Sequence, residues 1–137
     1  MPAADPRLRV GVDAVGVQRL ERLLDDHPSR VEELFTKQEL EYCRGKRRES
    51  EHLAARFAAK EAVLKAFGTG ISRRMRWTEV EVVKDANGRP EIRLTGAVAA
   101  YADNHGLRQL DVSMTHTEGL AIAHASSLWG NTECAST

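Results

Sequence analysis

Lys60, Glu61 and Lys65 punctuate a run otherwise rich in alanine, and Gly68-Thr69-Gly70 follows directly. A carboxylate between two ammonium groups, next to a glycine-containing turn, has two uses. In the first, Glu61 holds a divalent cation while Lys60, Lys65 and the backbone of 68–70 receive a phosphorylated ligand, because hard cations take carboxylate and phosphate oxygens. In the second, Glu61 and Lys65 form a surface pair one turn apart, contributing about 0.3 kcal/mol, and Lys60 snorkels out of the core. Both readings stand on local grounds. Asp13 is as open: it ends an alternating stretch, a position suited to a metal-binding carboxylate and equally to capping the next helix. His116, flanked by Thr115 and Thr117, can donate to a phosphate, although a lone loop histidine is commonly idle.

These groups need elements to hold them. Residues 50–67 read as a helix rich in Ala, Leu, Lys, Glu and Arg, with Ser50 as its N-cap and Gly68 as a left-handed terminator. Leu53, Phe57, Leu64 and Phe67 fall on one core-facing stripe, with Lys60 near its middle and Glu61 on its edge beneath Lys65. Upstream, Leu8, Val10 and Val12 alternate with polar residues, which predicts a strand over 8–13 with that apolar face inward. The next helix carries Val17, Leu20, Leu23 and Leu24 inward and stops before Pro28; Arg19 and Arg22 lie on its other face, by default a solvated one. Ser29 with Glu32 and Thr36 with Glu39 match capping boxes for short helices over 30–35 and 37–44. Residues 45–50 form a basic loop suited to closing over a ligand.

Downstream, 71–76 is a loop with three arginines. Residues 77–84 and 89–94 pair as a hairpin around the turn 85–88, with Pro90 marking an edge. Thr95 caps a helix over 97–105 that Gly106 closes. Strands around 110–115 and 119–129 form a second hairpin, with His116 in the connection 115–118. A strand, a helical segment, a hairpin, a helix and a further hairpin make an α+β domain whose mainly antiparallel sheet packs against the long central helix.

Composition narrows the class. The 137 residues suit one domain, placed at 7–129, with 1–6 and 130–137 expected as flexible ends. Twenty basic residues balance twenty acidic ones, which disfavours a general nucleic-acid binder. The basic residues cluster at 44–48 and 73–76, local patches compatible with an acidic protein partner or a phosphorylated small molecule. Cys43 and Cys134 have neither metal nor disulfide spacing, and no leader or membrane-spanning run is apparent, so a cytoplasmic location is expected.

Taken together, the contexts Gly11-Val12-Asp13, Arg56-Phe57-Ala58-Ala59-Lys60-Glu61-Ala62 and Ser113-Met114-Thr115-His116-Thr117 resemble a known family, the holo-(acyl carrier protein) synthases, which are small 4′-phosphopantetheinyl transferases. The resemblance runs from Arg9 to about Ser126. It includes Phe35-Thr36, Gly68-Thr69-Gly70-Ile71, and Trp77 followed by Glu81-Val82. It implies transfer of phosphopantetheine from coenzyme A to a serine of an apo acyl carrier protein, releasing adenosine 3′,5′-bisphosphate.

By that resemblance, Asp13 and Glu61 are the Mg²⁺ ligands, and Lys60 and Lys65 lie near the pyrophosphate, with Lys65 the direct contact. Gly68 and Thr69 let the backbone approach the nucleotide. Arg56, His116 and Thr117 match positions that meet the nucleotide and its 3′-phosphate. Arg19 and Arg22 become a docking face for an acidic carrier protein. The serine proton is left to Glu61 or to a water on the cation. The family form is a homotrimer with coenzyme A at a subunit interface, so that His116 can serve a neighbour's site. Two departures stand out: Gly16 replaces a frequent glutamate three residues after the first aspartate, and Thr115 stands where a serine is common before the histidine. A rival reading is a non-catalytic oligomeric module binding a nucleotide or acidic peptide, which has no use for Asp13 and Glu61 together.

Overall fold

The computed structural model describes residues 6–130. Most of the expected flexible ends, 1–5 and 131–137 with Cys134, lie outside the described residues. Gly130 itself is tied down, its N–H donating to the Gly106 carbonyl at 2.8 Å.

Strand β1 (Arg7–Gly16) leads into helices α1 (Val17–Asp26), α2 (Arg30–Leu34), α3 (Lys37–Cys43) and α4 (Glu49–Phe67). After a 3-10 turn (Trp77–Glu79) come β2 (Val80–Lys84), β3 (Pro90–Leu94), α5 (Gly96–Asn104), β4 (Leu107–Thr117) and β5 (Leu120–Trp129). Two antiparallel sheets result: β1-β5-β4, and the separate hairpin β2-β3. The α+β class is as expected. Among the described residues no helix is long and apolar enough to cross a membrane.

Helix α4 is the hub. It packs on β1, β4 and β5, with α1, α3 and β2 also against it. Small residues make this possible: Ala58, Ala59, Ala62 and Ala66 share one buried cluster with Ala123 and Ala125 of β5, and Ala54 and Ala55 share another with Ala121. The closest approach is at Gly11. A methyl group there would stand against the Ala62 carbonyl oxygen and 2.6 Å from the Ala66 nitrogen. Gly68 terminates α4 in the left-handed conformation (φ 79°), as its position predicts.

The sequence reading needs several corrections. The alternation of β1 is real, but its faces are reversed: Leu8, Val10 and Val12 are 70%, 58% and 57% exposed, while Gly11 is buried against α4. The side facing the helix is the one that lets the backbones touch. Ser50 lies inside α4, which begins after Arg48, and Ser29 makes no cap bond. Thr36 does form its capping box with Glu39. Residues 77–79 coil instead of extending, because Glu79 closes a box on the Arg76 N–H. Finally, His116 belongs to β4; the connection is Glu118-Gly119, both with positive φ (46° and 82°), as a tight hairpin with right-handed strand twist requires.

Candidate active site

Asp13 projects from the helix-facing side of β1 and Glu61 from the middle of α4. Both open into one cleft of about 550 Å³, with Arg19, Leu20, Leu23 and Phe57 around it. Phe57 is steadied by the Trp77 ring, 5.0 Å away between centroids. Asp13 caps no helix; α1 starts after Gly16. Its Oδ1 instead accepts from Lys65 Nζ at 2.7 Å, and the same ammonium reaches the Val12 carbonyl at 3.3 Å. That bond holds Lys65 firmly protonated, pushing its pKa upward. The surface pair expected between Glu61 and Lys65 is therefore displaced by one between Asp13 and Lys65.

Glu61 forms no ion pair among the described residues. Its carboxyl is pushed above its ordinary range, first by burial and then by the charge of Asp13, with Lys65 only partly offsetting them. Two close carboxylates in this condition gain from a shared cation. The donor set is hard oxygen throughout, which suits Mg²⁺ rather than a softer metal. Among the described residues no third His, Cys, Asp or Glu joins them, so further coordination would fall to water and substrate.

Lys60 is elsewhere. It is wholly buried, and its three protons go to Glu39 Oε1 at 2.8 Å, the Trp77 carbonyl at 3.0 Å and the Val80 carbonyl at 2.6 Å. Burial pulls its pKa down while Glu39 opposes the shift, and three acceptors around one nitrogen hold it as ammonium. Glu39 spends its other oxygen on the Val82 N–H at 2.9 Å. Lys60 thus locks α3, α4 and β2 together and neither snorkels nor faces a ligand, which corrects both readings of it. Glu39 was legible only as a cap, since its partner lies 21 residues away.

The turn at 68–70 is open on its outer side, yet its N–H groups fold back onto the Lys65 and Leu64 carbonyls at 3.0–3.3 Å. Gly68 and Thr69 can therefore meet a nucleotide through carbonyls and side chain rather than through free amides.

A second cleft, of about 450 Å³, shares no lining residue with the first. Gln38, Tyr42, Arg56, Lys84, Glu91 and Arg93 border it. Arg56 is only 2% exposed, yet its guanidinium has no ion pair among the described residues: Nη1 donates to the His52 carbonyl at 3.3 Å, and Nε has no partner. On the helix-facing side of β4, His116 Nδ1 lies 3.1 Å from Glu51 Oε2. Thr117 is exposed beside it, at the end of the strand, and Arg19 and Arg22 are exposed on α1.

The matched sequence settles the grouping: residues 9–124 match the 4′-phosphopantetheinyl transferase superfamily. The chain belongs to that superfamily. Among relatives of the transferase, the holo-[acyl-carrier-protein] synthase of Geobacter sulfurreducens is 46% identical over 114 residues, covering 82% of this chain and 90% of the relative. Solved structures agree in fold. The holo-[acyl-carrier-protein] synthase of Neisseria meningitidis superposes with a TM-score of 0.80 at 29% identity, covering 87% of this chain and 96% of the other. The Chronobacterium ammoniagenes ACPS–CoA complex gives 0.81 at 30% identity, covering 91% and 99%.

Proposed function

We propose that this transferase is a holo-[acyl-carrier-protein] synthase: it moves 4′-phosphopantetheine from coenzyme A to a serine of an apo acyl carrier protein, releasing adenosine 3′,5′-bisphosphate. The observation that carries the reading is the convergence of Asp13 and Glu61 in one cleft, a feature a purely binding module would not need. Asp13 and Glu61 would hold Mg²⁺, which when bound supplies positive charge against the pyrophosphate oxygens as the phosphorus is attacked. Lys65, with its side chain 53% exposed beyond its bond to Asp13, adds a mobile positive charge for the same oxygens. Leu20, Leu23 and Phe57 give the cleft an apolar wall that limits water near the reacting groups. Arg56, a buried cation without a counter-ion among the described residues, is suited to the 3′-phosphate of the nucleotide, with His116 and Thr117 as further contacts.

The enzyme is proposed to work in the cytoplasm as a homotrimer, with coenzyme A spanning neighbouring subunits. Two observations support the assembly. The outer face of β1 leaves Leu8, Val10 and Val12 in solvent, an apolar stripe that a second copy would cover. The cleft of Asp13 and the cleft of Arg56 are also separate within one chain. Arg19, at the rim of the first cleft, and Arg22 nearby on α1 form the proposed dock for an acidic helix of the carrier protein.

The test is incubation with coenzyme A, Mg²⁺ and an apo carrier protein, read by intact mass. The wild type gains the phosphopantetheine adduct, and Asp13→Ala or Glu61→Ala loses it while circular dichroism stays native. Full labelling by either variant overturns the metal assignment, and an unlabelled wild-type reaction overturns the function. In the same assay Arg19→Glu with Arg22→Glu raises the carrier-protein KM, an effect that shrinks with added salt; a salt-insensitive, unchanged KM removes the dock.

A further inference from the structure

We infer that Tyr42 is a positioning residue for the nucleotide end of coenzyme A, holding the cations that recognise its 3′-phosphate; this rests on the function proposed above. A guanidinium as buried as Arg56 needs compensation, and hydrogen bonding supplies little: one 3.3 Å bond to a backbone carbonyl and an idle Nε. Of the nearby acids, Glu39 is engaged with Lys60 and Glu81 with Thr36 and Arg93, and Glu91, on the same cleft, forms no ion pair with Arg56 among the described residues. What Arg56 has instead is a ring. Its central carbon stands 4.3 Å from the Tyr42 centroid, and Lys46 Nζ stands at the same 4.3 Å, with Lys84 Nζ at 5.8 Å.

Three cations gathered about one half-buried aromatic ring repel one another, and the negative π-faces of the ring are what hold them in place. His52 touches the Tyr42 ring edge-on at 6.2 Å. Its pKa is lowered by burial and then by Arg56, Lys46, His116 and Lys84. A phosphate monoester, carrying close to two negative charges at neutral pH, is the ligand class that would relieve such a cluster. A planar guanidinium fixed by stacking on the ring can offer its fork without first paying for rotamer order. Tyr42 makes no hydrogen bond through its hydroxyl among the described residues, so the ring rather than the oxygen carries the role.

The experiment compares coenzyme A with 3′-dephospho-coenzyme A as donor in steady-state transfer, for the wild type and for Tyr42→Leu, Tyr42→Phe and Lys46→Gln. Tyr42→Leu is expected to raise the KM for coenzyme A about tenfold with kcat held within about twofold. Its KM for the dephospho donor should match the wild type, and Tyr42→Phe should restore the wild-type KM for both. Lys46→Gln, at an exposed site that does not threaten the fold, should show the same donor selectivity to a smaller extent. An unchanged KM in Tyr42→Leu, an equal rise for both donors, or a defect that Tyr42→Phe shares overturns the role of the ring. Should Tyr42→Leu fail to fold, Lys46→Gln decides: an equal effect on both donors overturns the cluster. A wild type that transfers from neither donor fails the proposed function itself, and one that uses both donors equally fails the 3′-phosphate placement on which the ring's role rests.

Discussion

At Asp13 and Glu61 the protein holds two acids beside each other at a cost to its own stability. Glu61 bears the larger share, being half buried and without an ion pair among the described residues, while Asp13 keeps Lys65. Glu61→Gln should therefore raise the melting temperature of the metal-free protein by roughly 2–5 °C while abolishing transfer. Added Mg²⁺ should raise the melting temperature of the wild type but not of this variant. Differential scanning fluorimetry with and without Mg²⁺ checks both; equal Mg²⁺ stabilisation of the two proteins would remove Glu61 from the metal site. Lys65 was legible as a charge near the site, but its partner was not. A spacing of four along a helix points to Glu61, whereas the aspartate that wins the ammonium comes from a strand 52 residues earlier.

Among the elements, α4 shows why periodicity identified the helix but not its surroundings. An apolar stripe is informative when the opposite face meets water, and here α4 is buried nearly all round, by the sheet on one side and by α1, α3 and β2 on others. Lys60 marks the face turned to α3 and β2. Replacing it with Met leaves Glu39 charged and unpaired in the interior, a loss of about 3–5 kcal/mol. Combining Lys60→Met with Glu39→Gln should recover only part of this, because the Trp77 and Val80 carbonyls still lack a donor. Urea unfolding of the single and double variants measures the difference, and a single variant as stable as wild type would show the pair to be dispensable. The hairpin β2-β3 and the end of α4 at Gly68 were readable because turn chemistry is local. The facing of β1 was not. Alternation separates two faces, and hydrophobicity then favours the wrong one, since the buried side is chosen by a glycine that admits two alanine-flanked backbones.

For the whole molecule, the exposed stripe on β1 is the feature the proposed trimer would cover. Val10 and Val12 lie on the outer side of the three-stranded sheet, in line with Ser126 and His124 of β5 across the ladder. If that face joins copies, Val10→Glu should yield monomers by light scattering and lose transfer activity, since the two halves of the coenzyme site would part. A variant still trimeric and active would move the interface elsewhere. Such an assembly would bring together from neighbouring copies two clefts that are separate within one chain.

Gly11 has one more effect. It sits two residues before Asp13, and the main-chain atoms it touches belong to Ala62, directly after Glu61, and to Ala66. The gauge that spaces the two acids is thus a bare contact of main chain with main chain, with no side chain in the gap to swell, shrink or change rotamer. Drift elsewhere in the interior can retune how firmly the protein holds together while leaving the distance between Asp13 and Glu61 untouched.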